Sequence, residues 1–132
     1  MTIAAVAKKY DLTPDTLRYY ERIGLLPPVG RKPSGIRDYR EEDCGWIEFI
    51  KCMRSAGLPI DFLVEYVKLF RQGDGTLPLR LKMLKEQRGI LAGRIADMHR
   101  SLDRLDMKIE HYAGLMPRRK TNPANQKGDT YK

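Results

Sequence analysis

Arg18, Tyr19 and Arg22 recur at helical spacing on one face of a short stretch, with Asp15 on the same face and Leu17 opposite. Two long cations and an aromatic on one side of a helix suit the base edges of a DNA major groove and the phosphates beside it. A second basic group follows. Arg31, Lys32, Arg37 and Arg40 cluster with Tyr39 around the turn Lys32-Pro33-Ser34-Gly35. Cations at the tip of a turn suit phosphate contacts, which fix register and carry little sequence information. The thiols Cys44 and Cys52 are the other reactive groups. On one helix they stand about 12 Å apart, too far for a disulfide within it. Lys51 and Arg54 flank Cys52, and nearby cations lower a thiol pKa. Free cysteine is equally among the most buried residue types and packs as a small hydrophobe, so spacing alone leaves both readings of Cys52 open. His99 and His111 would lie about 18 Å apart along a helix and cannot share a metal. With no nucleophile–base pair, paired carboxylates or glycine-rich phosphate loop, the sequence predicts no enzyme, no metal and no cofactor.

Charge supports a nucleic-acid surface. The chain of 132 residues has a formal net charge of +8. Residues 1–40 hold 8 Lys+Arg against 4 Asp+Glu, residues 41–76 hold 4 against 7, and residues 77–132 hold 13 against 6. A basic block beside an acidic one marks a local binding surface rather than diffuse basicity. Two cysteines and no secretory segment suggest reduced thiols and a cytoplasmic protein. No apolar run approaches the roughly 18 residues that would span a bilayer, so no membrane partner is expected.

The elements that must position these groups can be read in order. Thr2 is a plausible N-cap for a short helix over residues 2–9, and Tyr10-Asp11-Leu12 is a tight connection. Thr13 suits the next N-cap, Pro14 the first helical position and Gly24 the left-handed end. Residues 2–23 thus read as a helix-turn-helix whose second helix is placed for the major groove. Pro27-Pro28 stops that helix, and residues 26–40 read as a small β-hairpin wing with cations at its tip. Residues 41–56 form a helix with acids in its first turn and Trp46, Ile47, Phe49, Ile50 and Met53 inward. Gly57-Leu58-Pro59 breaks it, and residues 61–71 form a further amphipathic helix before the hinge Gly73-Asp74-Gly75.

From residue 77 the pattern becomes regular. Leu77, Leu81, Leu84, Arg88, Leu91, Ile95, Met98, Leu102, Leu105, Ile109 and Tyr112 alternate in steps of four and three. Sustained periodicity of this kind predicts a coiled coil. A helix over 77–112 would be about 54 Å long, more than the preceding domain can cover. A second chain must therefore cover it, and a homodimer is expected. Residues 113–132, with Pro117, Pro123 and Arg118-Arg119-Lys120, read as a basic disordered tail.

Together these residues resemble the MerR family of transcriptional regulators. The resemblance covers residues 1–112. It rests on T-L-R-Y-Y-E-R-I-G-L-L at residues 16–26, G-I-R-D-Y at 35–39, F-I-K-C-M-R-S-A-G-L at 49–58, and the long helix. It implies a mainly α protein: a winged helix-turn-helix DNA-binding domain over residues 1–73, then an antiparallel coiled-coil dimerisation helix over 77–112. By position, Thr16, Arg18, Tyr19 and Arg22 look like recognition-helix contacts, and Arg31, Lys32, Arg37 and Tyr39 like wing contacts. Tyr20 is left between a phosphate contact and packing. The implied partners are double-stranded promoter DNA, a second copy, and RNA polymerase at the same promoter. Activation would follow from bending and untwisting an overlong promoter spacer.

The departures narrow the effector. Metal-responsive members resemble one another in a cysteine at the start of the dimer helix and a cysteine-containing loop after it; here Gly75-Thr76-Leu77 stands at the start and no cysteine follows Cys52. There is no room for the large ligand domain of drug-binding members. The chain resembles instead the small AdhR/NmlR-like subgroup, which implies a response to aldehydes and other electrophiles through a single cysteine at the position of Cys52. A regulator without an intrinsic sensor, or a coiled-coil adaptor, remains the alternative.

Overall fold

The computed structural model describes residues 1–117. Five α-helices follow one another: α1 (Ile3–Lys9), α2 (Pro14–Arg22), α3 (Glu41–Ser55), α4 (Ile60–Arg71) and α5 (Leu77–Leu115), with a 3₁₀ turn at Asp74–Thr76 before α5. The molecule divides into two compact units, residues 1–88 and residues 89–132, so the first turns of α5 belong to the head.

Both short helices start as their sequences dictate. The Thr2 hydroxyl accepts from Ala5 N, and the Thr13 hydroxyl from Thr16 N at 3.1 Å, each satisfying an amide with no intrahelical partner. Gly24 takes φ +82°, a conformation that a residue with a side chain adopts only under strain, and this turns the chain sharply out of α2. The Asp43 carboxylate accepts from Arg40 N at 2.8 Å and secures the entry to α3.

Val6, Ala7, Tyr10, Leu17, Leu25, Leu26, Val29, Tyr39, Cys44, Ile47, Ile50 and Leu63 form one core, drawn from α1 to α4 and the segment between α2 and α3. Nine-residue α2 could not persist alone; its fully buried Leu17 anchors it to this core.

The wing is narrower than expected. A single antiparallel bridge joins Arg31 and Arg37, and no strand forms among the described residues. Lys32 N donates to Ile36 O and Asp38 N to Gly30 O, both at 2.8 Å, and Gly35 N closes the tip onto Lys32 O. Pro27, Pro28 and Pro33 have no amide to donate, which leaves too few donors for a longer ladder.

α5 runs three residues beyond the expected end of the coil, so Ala113, Gly114 and Leu115 are helical rather than part of a tail. The expectation for residues 118–132 lies outside the described residues. Leu77, Leu81, Ile95, Met98, Leu102, Leu105 and Tyr112 of the apolar stripe are each about half exposed or more in the single chain.

Candidate nucleic-acid interface and the neighbouring thiol

The outer face of α2 presents the expected side chains. Thr16 lies beside the cap, its hydroxyl 2.8 Å from that of Thr13. Arg18 Nη1 donates to Asp15 Oδ1 at 2.8 Å, and both side chains remain accessible. This exposed pair contributes little stability. The Arg22 guanidinium lies 5.2 Å from the centre of the exposed Tyr19 ring. Tyr20 is half-buried and packs against the core, which favours packing over a phosphate contact.

The wing divides its residues differently from expectation. Lys32 is exposed at the tip, and Arg31 folds back so that Nη1 donates to Gly35 O at 2.7 Å. Arg37 instead points toward α2. Its Nε donates to Glu21 Oε1 at 2.8 Å, with the two side chains only 24% and 17% exposed. The other oxygen of Glu21 accepts from Val29 N at 3.1 Å. Glu21 thus ties α2 to both legs of the wing. It was not among the candidate residues, because its partner Arg37 lies 16 positions further on. The available signal was an acid beside Arg22, one of four acids in a basic block.

Tyr39 is a correction. Expected among the wing contacts, it is 2% exposed and belongs to the core. Its amide donates to Met1 O at 2.9 Å, and its buried hydroxyl has no hydrogen-bond partner among the described residues. Burial pushes its pKa up. A ring so placed cannot reach a phosphate.

The two thiols separate clearly. Cys44 is buried; burial first, and then hydrogen bonding with the Cys44 thiol, push the Tyr10 pKa up. Cys52 is exposed near the end of α3. Neither cation beside it is directed at the sulfur. Lys51 Nζ donates to Tyr10 O, and Arg54 Nη1 donates to Leu58 O at 2.7 Å. An adduct on Cys52 would not be forced into close packing within the subunit. His99 and His111 both lie exposed on α5, and no group of residues suited to a metal ion occurs among the described residues. No helix among them is long and apolar enough to cross a membrane.

A capped helix-turn-helix with a basic outer face and a short basic wing defines a winged DNA-binding protein. Residues 1–68 match the MerR HTH family of regulatory proteins. The chain belongs to the MerR family and is a DNA-binding transcriptional regulator.

It is 62% identical over 88 residues to the HTH-type transcriptional regulator AdhR of Bacillus subtilis, a stretch covering 67% of this chain and 63% of AdhR. The match therefore spans less than two thirds of that relative. Among solved structures it resembles a MerR family regulator from Listeria monocytogenes, with TM-score 0.82, 48% identity and 85% of each chain covered. It also resembles HiNmlR, a MerR family regulator lacking the sensor domain and bound to promoter DNA. There the TM-score is 0.76 and the identity 32%, over 84% of this chain and 88% of HiNmlR.

Proposed function

We propose that the chain acts as a homodimer on a palindromic promoter site, with α2 in the major groove and the wing on flanking phosphates. Thr16, Arg18, Tyr19 and Arg22 supply the groove contacts, and Arg31 and Lys32 the phosphate contacts. Arg37 contributes chiefly by holding the wing against α2. The observation that carries this reading is the two-sided character of α2: Leu17 is fully buried, while Arg18, Tyr19 and Arg22 stand exposed opposite. HiNmlR bound to promoter DNA supports the same use of the fold. The exposed apolar stripe of α5 supports pairing through residues 77–112, because its apolar area is covered only when a second helix lies along it. RNA polymerase then uses the promoter whose spacer the dimer bends and untwists.

The effector reading is an electrophile response through Cys52. Its exposure supports access by a small aldehyde, whereas Cys44 is buried. The step is addition of the thiolate sulfur to the aldehyde carbon, giving a hemithioacetal after the oxygen takes a proton. A second reading, a regulator without its own sensor, draws on a specific observation: Lys51 and Arg54 are engaged with backbone carbonyls rather than with the thiol. Transcription from the bound promoter, with and without formaldehyde, tests the first against the second. Induction lost in Cys52→Ser supports the thiol sensor; full induction in that variant leaves the sensorless regulator.

A further inference from the structure

The joint between α4 and α5 contains a buried cation that DNA contact does not explain. Arg80, in the first turns of α5, is 8% exposed. Its Nε donates to the Thr76 hydroxyl oxygen at 2.9 Å, and its Nη2 to Gly73 O at 3.2 Å. Thr76 Oγ1 lies 2.7 Å from Leu69 O and 2.8 Å from Gly73 O, either of which can accept its proton. The Arg80 guanidinium also lies 5.5 Å from the centre of the Phe70 ring of α4, and that ring meets Trp46 of α3 at 4.9 Å.

One planar cation from the first turns of α5 therefore touches both the end of α4 and the connecting turn. Gly73, at φ +98°, is where the chain turns. Neutral acceptors and an aromatic face surround the cation, and no carboxylate among the described residues pairs with it. Burial of an ion without a counter-charge is costly, so the packing must hold this geometry closely. Stacking and forked donation together need a planar guanidinium; a lysine ammonium provides neither the plane nor the fork.

We propose that Arg80 is a positioning residue that fixes the angle at which α5 leaves the DNA-binding head. Through that angle it determines which half-site spacing the dimer accepts. This rests on the dimeric DNA-binding reading above. A winged head reads its half-site whatever the angle of the helix behind it, but two heads reach two half-sites only when both exit angles are held. Loosening the clasp should therefore relax spacing selectivity more than it weakens contact with one half-site.

The experiment compares the parent with Arg80→Met and Arg80→Lys on palindromic sites whose spacers differ by single base pairs. Spin labels on Lys8→Cys in a Cys52→Ser background report the distance between heads in the dimer without DNA. For both variants the distance distribution should broaden, and the preference for the best spacer over its neighbours should fall by about three- to tenfold. A folded, dimeric Arg80→Met with the parent's distance distribution and spacer profile would overturn the proposal. Should Arg80→Met fail to fold, Thr76→Val, which removes the relaying hydroxyl, carries the same expectation and the same refutation. If the parent itself binds no palindrome, the DNA reading fails, while the distances still decide the role of Arg80.

Discussion

Arg37 of the wing and Glu21 of α2 form a 2.8 Å ion pair, and the second Glu21 oxygen takes the Val29 amide. The acid thus joins the wing to α2 at two points. Glu21→Ala frees Arg37 from its partner but leaves the Val29 amide unpaired. We predict a loss of about 1–3 kcal/mol of stability, measured by urea unfolding. DNA affinity should fall as well, even though the variant carries one negative charge fewer. Tighter binding at unchanged stability would show that Arg37 contacts phosphate better without Glu21.

Tyr39 provides the second prediction. Its buried hydroxyl lacks a partner among the described residues, so Tyr39→Phe removes an unsatisfied group and should hold or raise stability by about 1 kcal/mol. The folded-state pKa is raised above the ordinary 10.0. Below that ordinary value the tyrosine is neutral in both states. As the pH climbs past it, the unfolded chain releases the proton first, and stability is lost up to the folded pKa. Tyr39→Phe should therefore flatten the alkaline end of the stability curve while leaving DNA affinity unchanged. A large loss of affinity would restore Tyr39 as a DNA contact.

The third prediction concerns the seam of α5. Leu91→Asp places a charge in the proposed dimer interface, where burial without a partner is costly. Sedimentation should show monomer, and binding to the palindrome should be lost. A variant that stays dimeric would mean that the seam runs along another face.

The thiols should also part company. Cys52→Ser, at an exposed position, should leave melting and promoter affinity near those of the parent while abolishing induction by aldehyde. Cys44→Ser exchanges a buried thiol bonded to Tyr10 for a more polar hydroxyl, so it should lower stability by about 1 kcal/mol and keep induction. Thermal melting and promoter activity, measured side by side on both variants, check this.

Much of the helical fold was legible because its signals are local. Thr13, Pro14 and Gly24 mark the two ends of α2 within twelve positions, and the apolar repeat of α5 announces itself over several turns. The face of α2 could be read for the same reason. What escaped depends on partners distant in sequence. Tyr39 looked like one more member of a basic wing; its burial follows from its place in the core with residues of α1 to α4. Arg37 looked free until Glu21 was placed beside it, and Arg80 had no visible role until the turn at Gly73 brought Phe70 against it. Lys51 and Arg54 looked like neighbours of Cys52 by numbering, but their side chains reach backbone oxygens instead.

The most direct measurement is the affinity of the dimer for its palindromic promoter site across a salt series, for the parent and for Arg18→Ala. Arg18 stands exposed on α2, paired with Asp15, and is the base contact proposed above. The parent's affinity should fall steeply and log-linearly with salt, as neutralised phosphates release their counterions. Arg18→Ala should cost about 1–3 kcal/mol and narrow the gap between the palindrome and random DNA. Equal affinity of parent and Arg18→Ala for the palindrome, with no preference for it over random DNA in either, would contradict the assignment of α2 as the recognition helix.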